Sequence, residues 1–219
     1  MGSTKGYEPK LARHWSISRV QSCLDSPDKD SLVEFVDQRY RERFFEPVEK
    51  LMESPSQLQG YGFAIMALCS LLIESLQCYR YGLPTTYEAE YRKSLNAFNP
   101  PANYRINPAE RKNGKEAFQD FFSLDIHKEL FPGVDGVVFY NAIRNGLLHQ
   151  AQTKQGWRIR SGQPSLWNET EKILDRTKFA KSLEAAFAKY IQELKAASWD
   201  DDIWLKARRK IWWLLQLSA

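Results

Sequence analysis

Arg144, Asn145 and His149 are the residues whose types and spacing best suit chemistry in this chain. A histidine can take and return a proton near neutrality. An arginine is a fixed cation whose planar fork matches the oxygens of a phosphate. An amide beside the arginine can donate to the same oxygens or orient the imidazole. Together the three suit proton transfer on a phosphate ester with no bound metal.

The run Phe139-Tyr140-Asn141-Ala142-Ile143-Arg144-Asn145-Gly146-Leu147-Leu148-His149 contains no proline and follows the turn signals Pro132-Gly133 and Asp135-Gly136. The spacing predicts one helix over 136–151, with Asp135 capping its free first-turn amides. At about 100° per residue, Arg144 and His149 stand roughly 140° apart, whereas Asn145 and His149 share a face. Val138, Ala142 and Gly146 lie on that face too, and Tyr140, Ile143 and Leu147 on the core side. Gly146 costs about 1 kcal/mol of helix stability relative to alanine, which predicts a compensating close approach by a second helix or a nucleic-acid backbone.

Arg144-Asn145-x-x-x-His149 at the end of an apolar helix resembles the signature of the HEPN superfamily. The resemblance implies a small all-helical domain and metal-independent endoribonuclease activity without a cofactor. It implies catalytic roles for Arg144, Asn145 and His149. It also implies a composite site in which two copies meet across a two-fold axis, with the face of Ala142 and Gly146 as the expected contact. RNA is then a partner, as is a second copy of the chain, and a regulatory protein fits the toxin and antiviral defence roles of such families. One branch carries a tyrosine two places after the histidine; this chain has Ala151 there. The competing class is a non-catalytic RNA-binding or regulatory module on the same scaffold. An acyl-transfer enzyme finds no support, since no G-x-S-x-G elbow is present.

Composition is compatible with this reading. Of 219 residues, 43% are hydrophobic and 26% charged, and the net charge of +4 permits RNA binding without arguing for it. Cys23, Cys69 and Cys78 form no C-x-x-C pair. On one helix Cys69 and Cys78 would lie about 13 Å apart, too far to bridge. A reducing cytoplasm is expected, with no metal site at ligand spacing. The most apolar run, Phe63 to Ile73, falls short of the roughly 20 residues that span a bilayer.

The remaining elements must position the motif. The fold class expected is an all-α bundle of six to eight helices with a short β-hairpin after the motif helix. Helices are expected over 9–24 (Leu11, Trp15 and Val20 inward), from a Ser31–Glu34 capping box to about 53, and over 56–81, 85–98 and 108–123. Arg39, Arg41 and Arg43 read as a solvated face. Within the buried helix sits Glu74, a costly carboxylate unless paired. It is expected either to be partly exposed or to orient Arg144 or His149 from behind the site. Arg105, Arg111, Lys112 and Lys115 around Tyr104 form a basic aromatic loop that could hold single-stranded RNA. After the motif, Trp157 and Ile159 alternate with Arg158 and Arg160, which predicts a strand returning through Leu166-Trp167. Lys154, Arg158 and Arg160 then become RNA-binding candidates beside the site. Asp175 or Thr177 opens a helix over 177–196. Residues 1–198 are expected as the helical domain. Residues 199–219 form a tryptophan-rich extension, packed on that domain or at an interface.

Overall fold

The computed structural model describes residues 9–53, 61–86 and 99–218. The fold is a bundle of helices with a few short strands. The helix expected over 85–98 falls almost wholly outside the described residues, as does the start of the one expected from 56.

The chain opens with a ribbon rather than a helix. Strands β1 (Lys10–Ala12) and β2 (Trp15–Ser16) pair antiparallel, and α1 covers only Ile17–Asp25. Two local causes set this boundary. The Ser16 hydroxyl caps α1 by accepting from Arg19 N at 3.2 Å. The Leu11 carbonyl accepts from both Arg39 Nη1 and Arg43 Nη2, where a helical Leu11 would give it to its own helix. Leu11, Trp15 and Val20 nevertheless point inward, none more than 2% exposed.

Helix α2 (Lys29–Tyr40) is capped three residues before the expected box. Asp28, not Ser31, is the cap, and accepts from Ser31 N at 3.0 Å. A π-helical stretch, Arg41–Phe45, joins it to α3 (Glu46–Glu53). The arginines here are engaged: Arg41 pairs with Asp37 and Glu184, while Arg39 and Arg43 hold Leu11.

Helix α4 (Tyr61–Tyr81) is the central rod. It is long and apolar enough to cross a membrane, but 56% of its apolar window is buried in the bundle. Ile65, Met66, Cys69, Leu72, Ile73 and Leu76 are at 3% exposure or less. Gly82, at φ +67°, ends it in the left-handed turn that glycine adopts most easily. After two 3-10 turns, α5 (Gly114–Ser123) begins at an Asn113–Glu116 capping box rather than at residue 108, and a short α6 (Asp125–Lys128) follows.

The motif helix has three parts: α7 (Gly136–Val138), a π-helical stretch over Phe139–Arg144, and α8 (Asn145–Gln150). Asp135 caps it as expected, accepting from Val137 N and Val138 N. Phe139 stacks on Phe179 at 5.0 Å between ring centroids, anchoring the motif helix in an aromatic core.

Beyond it lies the small sheet. Strands β4 (Trp167–Asn168) and β5 (Ile173–Asp175) form the antiparallel hairpin, and β3 (Arg158–Arg160) adds parallel to the other edge of β5. The strand expected to return through Leu166-Trp167 therefore pairs not with Arg158–Arg160 but with β5, which the pattern did not reveal. Helix α9 (Arg176–Ala196) is capped by Asp175, and buries the expected stripe of Phe179, Leu183, Phe187, Tyr190 and Leu194. Helix α10 (Asp202–Ser218) packs along α4 and α1.

Candidate functional site

Arg144 sits where the π-helical stretch meets α8. Its Nη2 donates to Glu74 Oε2 at 2.9 Å and its Nη1 to Asn145 Oδ1 at 3.0 Å. The guanidinium lies 5.4 Å from the Tyr140 ring centroid. Side-chain exposure is 11% for Arg144 and 16% for Glu74, so the pair is largely withdrawn from water. Charges in such surroundings need compensation, and here each is the other's main partner. The second oxygen of Glu74 accepts from the Thr86 hydroxyl. Arg144 is therefore held at one position by a carboxylate that is itself held.

His149 differs in every respect. It lies on the last turn of α8 and is exposed, and its imidazole makes no hydrogen bond with the described residues. Glu74 thus partners Arg144 and not His149, one of the two arrangements open from the sequence.

The face of Ala142 and Gly146 is where the structure overturns an expectation. Both residues are buried, and what covers them is this chain's own continuation. Lys154 N donates to Ala142 O at 2.8 Å and Gln152 N to Gly146 O at 3.3 Å. A Cβ on Gly146 would stand 2.4 Å from Gln152 O. Ala151, at φ 50°, turns the chain back to make this approach. The expected close neighbour exists, but it is intramolecular, so a second copy cannot occupy this face. The physical reason is the left-handed turn at Ala151, which lays 152–154 back over the helix and which helical spacing does not reveal. Within the helix Asn145 N reaches back to Tyr140 O, an i→i+5 bond, yet Ala142 and Gly146 still share one covered face.

The basic candidates separate. Lys154 is tied by its backbone to the motif helix. Arg158 and Arg160 are exposed on β3, where their side chains donate to Glu171 O and Ile159 O. Ile159 between them contacts the position of Gly62, at the start of α4. Gly62 and Glu74 are about 18 Å apart along that helix. Arg158 and Arg160 thus flank the far end of the rod from the Arg144–Glu74 pair, and only Lys154 lies close to the motif. Tyr104 is also not free to stack on a base: it stacks on Trp212 at 5.3 Å, with rings 11° from parallel. Lys112 pairs with Asp120.

Two contributors have no signature in the sequence, and a third was placed elsewhere. Thr86 follows a turn and has no periodicity to mark it. Tyr140 was expected on the core side, although its four-residue spacing from Arg144 sets the two on one helix face. The strap over 151–154 reads as an ordinary polar loop. Among the described residues no group of His, Cys, Asp and Glu could hold a metal ion, and Cys23, Cys69 and Cys78 are buried thiols. Burial pushes the Cys69 thiol up to about 12 and that of Cys78 to about 11, so neither is a ready nucleophile.

Comparison with known proteins finds no matching family, no similar curated protein and no similar solved structure.

Proposed function

We propose that this protein is an endoribonuclease that cleaves RNA without a metal ion, using Arg144, Asn145 and His149. The observation that carries the reading is the division of labour on the motif helix: Arg144 is fixed by Glu74, and His149 stands in solvent about one and a half turns on. The substrate supplies its own nucleophile. His149 removes the proton of a ribose 2′-OH, the 2′-oxygen bonds to phosphorus, and the bond to the 5′-oxygen breaks. The products are a 2′,3′-cyclic phosphate and a 5′-OH, with the leaving oxygen taking a proton from a second acid. Arg144 retains N–H groups beyond those given to Glu74 and Asn145, and these stabilise the charged phosphorane. One chain offers a single histidine in this arrangement, so a second copy supplies the acid through its own His149. With the Ala142–Gly146 face closed, such a contact runs through the exposed end of the motif helix, around His149, Gln150 and Ala151.

A second reading is favoured by the 11% exposure of Arg144. On it the ion pair serves only to hold the motif helix, and the protein binds RNA or a partner without cleaving.

Incubating purified protein with mixed RNA in excess chelator separates the two. Cleavage should persist in chelator and vanish in His149→Ala, with helix content unchanged by circular dichroism. Cleavage that stops with chelator, or continues in His149→Ala, overturns the first reading. RNA binding without cleavage by the parent protein establishes the second.

A further inference from the structure

Tyr140 stands four residues before Arg144 and carries its guanidinium 5.4 Å from the ring centroid, yet the cleavage scheme gives it no part. Phe118 packs against the same ring, tilted by 51° with centroids 5.6 Å apart, and Gly114 lies at its edge. With those neighbours in place, what the side chain offers is its hydroxyl and not a ring face for a base.

That hydroxyl is held in place but unbonded. A Cβ on Gly114 would stand 2.9 Å from Tyr140 Cε2 and 3.1 Å from the hydroxyl oxygen. Gly114 has no positive φ to call for a glycine, and glycine weakens a helix, so what this position supplies is room for the phenol. Tyr40 and Tyr81 are bonded to Ser75 and Asp120. The hydroxyls of Tyr79 and Tyr190 are unbonded but sealed in the core. The Tyr140 hydroxyl has no partner among the described residues either, but the residue is only half-buried and its oxygen is not closed off from solvent.

Arg144 is committed only in part. Nη1 and Nη2 each give one N–H, to Asn145 and Glu74, and each keep a second; Nε is closed off and plays no part. The phenol and the guanidinium are not bonded to each other, and they stand near enough for one phosphate to accept from both, at about 2.9 Å a bond. We propose that Tyr140 is a further substrate-binding residue, whose O–H donates to a non-bridging oxygen of the phosphate that Arg144 holds. The proposal rests on the ribonuclease reading, in that RNA supplies the phosphate. The two donors differ in kind. Arg144 attracts the anion by charge. The neutral phenol adds a directed bond, and so fixes how the phosphate is turned against the guanidinium.

Tyr140→Phe removes the O–H and keeps the ring against which Phe118 and Arg144 pack. Its effect is read by fluorescence anisotropy with a labelled single-stranded RNA of about 12 nucleotides. The full chain also carries His149→Ala, so that the probe stays whole. With circular dichroism unchanged, Tyr140→Phe should bind about tenfold more weakly, the loss of one hydrogen bond to a charged group. The slope of log affinity against log salt should not change, because no cation is lost. A slope reduced by about one would mean that Arg144 has moved and that the ring only props it, which overturns the proposal. Equal affinity, or no RNA binding by either protein, overturns it too. With His149 restored, Tyr140→Phe should cut RNA about tenfold more slowly at low substrate. Weaker binding at an unchanged slope in a protein that cuts no RNA removes the ribonuclease reading and leaves this contact standing. RNA cleavage by the parent with equal binding by Tyr140→Phe does the reverse.

Discussion

Arg144 and Glu74 form a largely buried pair, and such pairs are asymmetric in their energetics. Removing one partner strands a charge at a cost of about 3–5 kcal/mol, whereas replacing both by apolar groups is often neutral. Glu74→Gln should therefore lower unfolding stability by about 3 kcal/mol, measured by urea titration. Glu74→Leu combined with Arg144→Met should recover most of that loss yet show no RNA cleavage. If the double variant cleaves, Arg144 has no chemical role. Gly146 invites a second test. A methyl group there meets the Gln152 carbonyl at 2.4 Å, so Gly146→Ala should destabilise by about 1–3 kcal/mol, despite alanine being the better helix former. A stabilised Gly146→Ala would mean that the strap is not seated on the helix in solution.

Elements with strong local signals were legible in the sequence. Asp135 before an apolar run, Asp175 before the Phe179–Leu194 stripe, and Gly82 at the end of the most apolar helix each mark a boundary that the structure reproduces. Boundaries set by distant partners were not. The ribbon at Lys10–Ser16 depends on Arg39 and Arg43 reaching back to Leu11, about thirty residues away in sequence. The π turns escape periodicity, yet Ile143 and Leu147, expected on the core side, are buried there. What helical spacing could not reveal is that the close neighbour of Ala142 and Gly146 is the chain's own strap, set by the turn at Ala151, while the identities of Arg144, Asn145 and His149 did not depend on register. The parallel pairing of β3 with β5 was hidden for a related reason: strands of two or three residues carry too little alternation to name their neighbours. The position of β3 at the Gly62 end of α4 yields its own expectation. If RNA lies along the rod, neutralising Arg158 and Arg160 together should reduce the slope of log affinity against log salt by about one for each phosphate left without its cation. An unchanged slope would place the RNA away from β3.

For the molecule as a whole, the core is built of rings, and one of them titrates. His127 lies against Phe121 at 4.2 Å and is 1% exposed. Its Nδ1 donates to Phe121 O at 2.7 Å. Burial, offset in part by that bond, holds its pKa down to about 4. The unfolded chain takes up this proton near the ordinary value of 6.5, the folded one only near 4. Stability from this group is thus complete above about 6.5 and falls as pH drops towards 4, by up to about 3 kcal/mol. Urea midpoints at about pH 7 and about pH 4.5 should show the loss, and His127→Phe should flatten it; an equal pH response in that variant would assign the loss to other groups. Helix α10, for which packing on the domain or an interface was open from the sequence, lies against the domain: Trp204 is fully buried and bonds Leu194 O through its Nε1, and Lys210 Nζ donates to Pro84 O. Its link to Pro84 bears on the motif as well, since Thr86, two residues on, holds Glu74.

The strap that closes over Gly146 has a kinetic consequence. The Lys154 amide is bonded to Ala142 O across the motif helix, not within a ladder of its own. Its hydrogen can exchange with solvent deuterium only when the strap lifts, and lifting also uncovers the glycine. One amide resonance therefore times the opening of the segment that follows His149. If RNA settles on this end of the helix and presses the strap down, exchange at Lys154 slows while the amide of the exposed Gln155 is left to set the baseline.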